Sequence, residues 1–190
     1  VKGETADRIL ATARSLMTER GYSAFSYADI AAAIGITKAS IHFHYATKAV
    51  LAVAVLRAHR QGLVQAMETL DTNIPDPAQR LHTYVKYWEG CIRDQSIPFC
   101  VAALLAAELP SLPDEVQAEV RLHFQALSAW IQQTLEAGAQ QGTIRLESST
   151  ESEAQLFMAA VHGAMLSARV SGNCEVFQLA TDAALKRITP

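Results

Sequence analysis

No stretch of the 190 residues is an unbroken apolar run of the length a membrane helix needs, and the opening VKGETADRIL is charged where a secretory signal would carry its apolar core. The expectation is a cytoplasmic protein with no membrane partner. Cysteine is scarce: Cys91, Cys100 and Cys174 form an odd, widely spaced set, which argues against structural disulfides. There is no CxxC, HExxH, GxSxG or phosphate-binding glycine loop, so no motif announces a metal, a cofactor or a catalytic nucleophile, and none is expected. His42 and His44 stand two residues apart, on different sides of a helix, and do not make a shared metal site. Net positive charge is missing as well, the total being −3 at pH 7. Division along the chain reverses this at one end. Residues 1–60 hold 8 Lys and Arg against 4 Asp and Glu, or +4, which leaves 8 against 15, or −7, for the remainder. A basic head on an acidic body is the distribution that phosphate attraction at one end requires.

What the chain has in quantity is helical pattern. Half of its residues are hydrophobic, enough for one or two domains with a sizeable core. The most informative stretch is Ser26 to Leu51, SYADIAAAIGITKASIHFHYATKAVL. Ser26 followed three residues later by Asp29 is a capping-box variant that starts a helix. Tyr27, Ile30, Ala31 and Ile34 then fall at i, i+3, i+4 and i+7 on one face, and Gly35 supplies the left-handed residue that closes it. Thr37 caps a second helix, Lys38 to Tyr45, in which Ile41 points inward while Lys38, Ala39 and His42 point out. Two short helices joined by a glycine-containing turn are the unit whose second helix reads base edges in a major groove.

These residues resemble the amino-terminal domain of the TetR family of repressors. The resemblance is carried by Asp29-Ile30-Ala31, Gly35-Ile36-Thr37-Lys38-Ala39-Ser40-Ile41, His44-Tyr45, Thr47-Lys48 and Leu51. It implies a groove-facing set of Lys38, Ala39 and His42 and a phosphate-contacting set of Tyr27, Ser40, His44 and Lys48, with Thr37 opening the reading helix. Phe43 sits where the family often has an aromatic residue. The chain departs from the family at His42, where Tyr is common, at Ala46, where Pro is common, and at Ala49, where Glu is common. A neutral imidazole at position 42 offers either a donor or an acceptor to a base.

The remaining pattern predicts an all-α fold of about nine helices. The first runs from about Thr5 to Arg20, and the fourth from Thr47 to about Leu70 with Gly62 as a point of bending. The fifth runs from Pro77 to Asp94, and Ser96-Ile97-Pro98 restarts the chain. Phe99 to Leu109 is nearly all apolar; periodicity alone permits a strand, but its alanines and helical neighbours favour a buried helix ending at Pro110. Asp114 opens a long helix whose end Gly138 and Gly142 loosen, and the last two run from about Thr150 to Val170 and Cys174 to Ile188. The domains expected are 1–48 for DNA and 49–190 for ligand binding and dimerisation.

In TetR-like proteins the two carboxy-terminal helices pair with those of a second subunit, so the resemblance implies a homodimer with Phe157, Val161, Ala164, Met165 and Ala168 at the seam. The same residues also suit a monomer core. Dimerisation has an independent motive, because paired half-sites about 34–36 Å apart need two reading helices. The family precedent implies a small-molecule effector, and the aromatic-rich second part suggests Tyr84, Trp88, Phe99, Cys100, His123 and Phe124 as its contacts. Cys100 follows Pro98-Phe99 at the start of an apolar helix, where amides would lower a thiol pKa; a buried small hydrophobe is the plainer reading. The sequence thus points to a DNA-binding regulator of a palindromic duplex operator, a repressor released by its effector. The alternative is a helical small-molecule carrier, with an enzyme using Cys100 a distant third because no partnering His is evident.

Overall fold

A computed structural model of the chain describes residues 2–97 and 99–189; Pro98, expected at the restart after the fifth helix, lies outside the described residues. Among them are nine α-helices: α1 (Lys2–Arg20), α2 (Tyr27–Ile34), α3 (Lys38–His44), α4 (Lys48–Asn73), α5 (Pro77–Arg93), α6 (Val101–Ala107), α7 (Asp114–Gln141), α8 (Thr150–Ser171) and α9 (Cys174–Ile188). No strand occurs among the described residues, and no single helix is long and apolar enough to cross a membrane.

Local chemistry sets most of the helix starts. Asp76 accepts the Ala78 N–H at 2.9 Å with Pro77 at the first helical position, Ser149 Oγ accepts the Ser152 N–H at 3.2 Å, and Asn173 Oδ1 accepts the Glu175 N–H at 2.9 Å. The apolar run after Phe99 is helical, but shorter than its composition suggests. Cys100 is the extended cap of α6, and Leu109–Ser111 tightens into a 3-10 turn because Pro110 has no N–H with which to continue an α-helix. Helix α4 passes Gly62 unbroken. Nor does α7 loosen at Gly138: it runs on to Gln141, and the N–H groups of Thr143 and Ile144 fold back onto the Gly138 carbonyl at 2.9 and 3.1 Å.

The chain divides into two compact units that do not follow chain order. The first joins the residues up to Gly62 with Cys100–Phe124, and the second joins Leu63–Phe99 with the chain from Gln125 onward, so α4 and α7 each contribute to both. In the first unit α1 packs on α2, α3 and α6 around Ile9, Ala13, Met17, Ile30 and Ile41, all fully buried. Glu108, at the end of α6, accepts the N–H groups of Tyr22 and Ser23 at 2.9 and 3.1 Å and the Ser23 hydroxyl at 2.9 Å. Gly21 sits beside that carboxylate at φ +82°, and a Cβ there would come within 2.0 Å of Glu108 Oε1. Both the backbone conformation and the contact therefore call for glycine.

In the second unit α8 packs along α9, and α5 also rests on α9. Two buried carboxylates pin these helices: Glu89 takes Lys86, Arg93 and Gln178, and Glu153 takes Arg187 and Ser148. The five residues expected at a subunit seam belong to this core. Phe157, Val161, Ala164, Met165 and Ala168 are 1–3% exposed within the chain, so α8 turns that stripe inward, with Phe157 also lining the groove between α8 and α9. The outward stripe is Leu156, Ala160, Gly163, Leu166 and Val170. Leu156 and Ala160 help to line a groove of about 290 Å³ against Ala180 and Ala183 of α9.

Candidate nucleic-acid interface

The reading helix is placed by its caps. The Asp29 carboxylate accepts the Ser26 N–H and the Ser26 hydroxyl, each at 2.7 Å, and these hydrogen bonds hold the Asp29 carboxyl below the usual carboxylate range. Gly35, at φ 70° and ψ 38°, returns its N–H to the Ala31 carbonyl at 3.0 Å and reverses the chain. Thr37 Oγ1 then accepts the Ser40 N–H at 3.2 Å and starts α3. The buried Ile41 anchors that helix, and Arg8 of α1 donates to the Ile34 carbonyl at 2.9 Å, tying α1 to the end of α2.

With Ile41 facing in, Thr37, Lys38, Ala39, His42 and Phe43 face solvent, and Ser40 and His44 are half-buried beside them. Phe43 is 69% exposed, a large apolar surface that α3 leaves open. His42 lies against the Tyr27 ring at 4.7 Å between centroids, with Nδ1 at 3.1 Å from the Ala46 carbonyl. A carbonyl only accepts, so Nδ1 carries the proton, and in the neutral ring Nε2 is left as an acceptor. Sequence left both roles open, and geometry selects one.

Two members of the expected phosphate set are engaged within the chain. Tyr27 is buried, and its hydroxyl donates to the Tyr45 carbonyl at 2.9 Å; burial first, then Tyr22 and Tyr45, pushes its pKa up to about 12. That hydroxyl holds the end of α3. Lys48 donates to the Phe25 carbonyl and stands 4.6 Å from the Tyr22 ring centroid and 4.4 Å from that of Phe25, with burial pulling its pKa down. One bond to Phe25 leaves this ammonium two further donors.

The six expected ligand contacts are shared between the units. Tyr84, Trp88 and Phe99 are buried in the second, where Tyr84 lies 5.8 Å from Trp130 and Arg169 stands 5.5 Å over Phe99. The Trp88 indole N–H is buried without a hydrogen-bond partner among the described residues. Cys100, His123 and Phe124 belong to the first unit. Burial pushes the Cys100 thiol up to about 11, outweighing the backbone N–H groups of Ala103 and Ala102 and the charge of Arg14, so the thiol is not the acidic one its position suggested. His59, which no motif marks, lies beside it with Nε2 at 3.5 Å from Sγ. Sequence reading also missed Glu108 and Glu119. Glu119 accepts from Arg57 at 2.6 Å and Arg60 at 3.2 Å, joining the start of α7 to α4. Their one sequence signal is an acid on an otherwise apolar helical face.

The model of "Bacterial regulatory proteins, tetR family" matches residues 9–55, and that of "Tetracyclin repressor-like, C-terminal domain" matches residues 77–184, more than half the chain. A TetR family transcriptional regulator from Agrobacterium tumefaciens, solved by crystallography, is 46% identical with a TM-score of 0.98 and full coverage of both chains. The HTH-type transcriptional repressor DhaR of Mycobacterium sp. (strain GP1) is 27% identical over 83% of this chain and 78% of its own. The reduced form of NemR from E. coli has the same fold, at TM-score 0.85 and 22% identity, covering 98% of each chain. A helix-turn-helix head in residues 9–55 and a helical body matched through residue 184 therefore make one continuous case: this chain belongs to the tetR family of bacterial regulatory proteins, DNA-binding transcriptional repressors that dimerise.

Proposed function

We propose that the protein represses transcription as a homodimer that sets two α3 helices into successive major grooves of a palindromic operator. The observation that carries this reading is the face of α3, where Lys38, Ala39 and His42 are open to solvent over a single buried anchor, Ile41. In this reading Lys38 and His42 contact base edges, Ala39 gives the close approach, and Thr37, Ser40, His44 and Lys48 hold the sugar–phosphate backbone. Phe43 supplies apolar contact, as to a thymine methyl. His42 Nε2, as an acceptor, suits the exocyclic amino group of cytosine or adenine. Residues 1–48 read DNA and 49–190 hold effector and partner; the boundary is one of role, since the compact units divide elsewhere. The subunits meet through the outward stripe of α8 and the groove it forms with α9, where small and apolar residues are exposed.

The effector is an apolar or aromatic small molecule received in the second unit, and the unpartnered Trp88 indole N–H supports this as a polar anchor waiting for an acceptor. Selection of bound fragments from random duplex DNA tests the whole reading. The expected result is a palindrome bound by the parent protein and a His42→Ala variant that loses preference at one or two base pairs, about 1–3 kcal/mol each. Lys48→Ala should weaken all duplexes alike and lower the salt slope by about one per head. Unselective binding by the parent protein would overturn the assignment of α3 as the reading helix.

A further inference from the structure

In the first unit three soft donor groups converge from three separate elements: His59 of α4, Cys100 at the cap of α6 and His123 of α7. Their ligand atoms all lie within 4.8 Å of one another, with Cys100 Sγ at 3.5 Å from His59 Nε2 and 3.8 Å from His123 Nε2. Cys100 and His123 are 1–2% exposed, and His59 is half-buried, which gives the cluster a way in from solvent. The buried Glu119, one helical turn before His123, clamps Arg57 and Arg60 on either side of His59 and so holds α4 and α7 in the register that brings the imidazoles together. Hydrogen bonding alone is a weak return for burying this trio, because a thiol is a poor donor and a poor acceptor.

We propose that His59, Cys100 and His123 bind a thiophilic transition-metal ion through one thiolate sulfur and two imidazole Nε2 atoms. The spacing fits. With metal–sulfur near 2.3 Å and metal–nitrogen near 2.05 Å, tetrahedral or trigonal geometry places sulfur and nitrogen about 3.6–3.8 Å apart. The two imidazole rings, now stacked at 14° and 4.8 Å between centroids, must splay so that both lone pairs meet one ion. That is a rotation about the soft terminal torsion of the side chain, and half-buried His59 has the room for it. The donor set of two His and one Cys is matched to zinc(II) and copper(I) rather than to calcium or magnesium.

A neutral imidazole leaves one ring nitrogen without a proton, and the tautomer protonated at Nδ1 presents Nε2 to the ion. The Cys100 thiol holds its proton until the ion enters; the metal–sulfur bond then forms as the S–H proton leaves to solvent. A monovalent ion makes a neutral pair with the thiolate, whereas a divalent one leaves a positive charge facing Arg14 of α1. The site is connected to the DNA-reading end of its own unit, because Cys100 caps the seven-residue α6 and Glu108 at its far end holds the connector between α1 and α2. Resting on the regulator reading, metal occupancy should shift DNA affinity, by about 5- to 150-fold for ordinary coupling.

The full chain, reduced and freed of metal, is titrated with cobalt(II), then competed with zinc(II) and, under anaerobic conditions, with copper(I). The expected result is one ion per chain, a thiolate-to-cobalt charge-transfer band and tetrahedral d–d bands, displaced by zinc(II) and by copper(I). Cys100→Ser should remove the charge-transfer band, His59→Asn should weaken binding at least tenfold, and the Cys91→Ser and Cys174→Ser variants should keep the band. A parent protein without the band, or a band that survives Cys100→Ser, overturns the site whatever the variants do to folding. DNA binding is measured with and without zinc(II) on the selected operator. Failure of the metal-free protein to bind DNA defeats the regulator reading and leaves the metal site standing; DNA affinity unchanged by bound metal defeats the link between them.

Discussion

The α2–α3 head and the α8–α9 pair are both built of short-range helical pattern, yet in the first the sequence itself sets the outward face, whereas in the second it leaves two readings open. In the head, direction is set by groups that act within three or four residues: the Ser26–Asp29 contact, Gly35 at positive φ and the Thr37 cap. On α8, apolar and small residues occur on both sides, with Leu156, Gly163, Leu166 and Val170 outside and Phe157, Val161, Ala164 and Met165 inside. Two faces of similar composition leave the orientation to packing. Capping chemistry has a direction, whereas hydrophobicity repeated around a helix has none.

Substitutions on the two faces of this pair sharpen the comparison most. Ala164→Glu buries an uncompensated charge and should cost about 3–5 kcal/mol, read as a lowered melting temperature with lost helical signal. Ala183→Glu, in the outward groove, should leave that temperature nearly unchanged and shift the sedimentation profile toward monomer at micromolar concentration. If Ala164→Glu were folded and monomeric instead, the inward and outward stripes would have to be exchanged.

Acid titration probes interactions that no local rule supplies. The folded His59 pKa is depressed from 6.5 to about 4, so its contribution is present above pH 6.5 and is lost as pH falls toward 4, up to about 3 kcal/mol before allowance for its partial exposure. Glu119, Glu89 and Glu153 act in the same sense at lower pH. Burial would raise the Glu119 and Glu89 carboxyls, but hydrogen bonds from Arg57 and Arg60, and from Lys86, Gln178 and Arg93, outweigh it. In Glu153 the Arg187 hydrogen bond is itself the largest influence, and all three carboxyls lie below 4.5. Chemical denaturation at a series of pH values should show stability falling from pH 6.5 downward in the parent protein, with the first part of the fall absent in His59→Asn.

Smaller effects belong to the head. Gly21→Ala places a Cβ against Glu108 in a left-handed conformation and should cost about 1–3 kcal/mol, with DNA binding weakened because the Tyr22 and Ser23 contacts are displaced. Thr37→Ala removes only the cap and should cost about 1 kcal/mol in denaturant unfolding. A larger loss for Thr37→Ala than for Gly21→Ala would mean that the cap, and not the α6 contact, is the main support of the head.

The sequence by itself determined the helix count, the caps, the turn at Gly35 and the outward set Lys38, Ala39 and His42, because each depends on neighbours a few residues away. It also carried the family, since the same local rules leave the same residues at the same spacing. Tertiary structure decided which face of α8 is core and which hydrogen bond Tyr27 makes. It alone brought His59, Cys100 and His123 to one place from positions 41 and 23 residues apart. No local interaction connects those three residues, so their meeting is a product of α4, α6 and α7 packing within one unit, and one-dimensional spacing does not encode it.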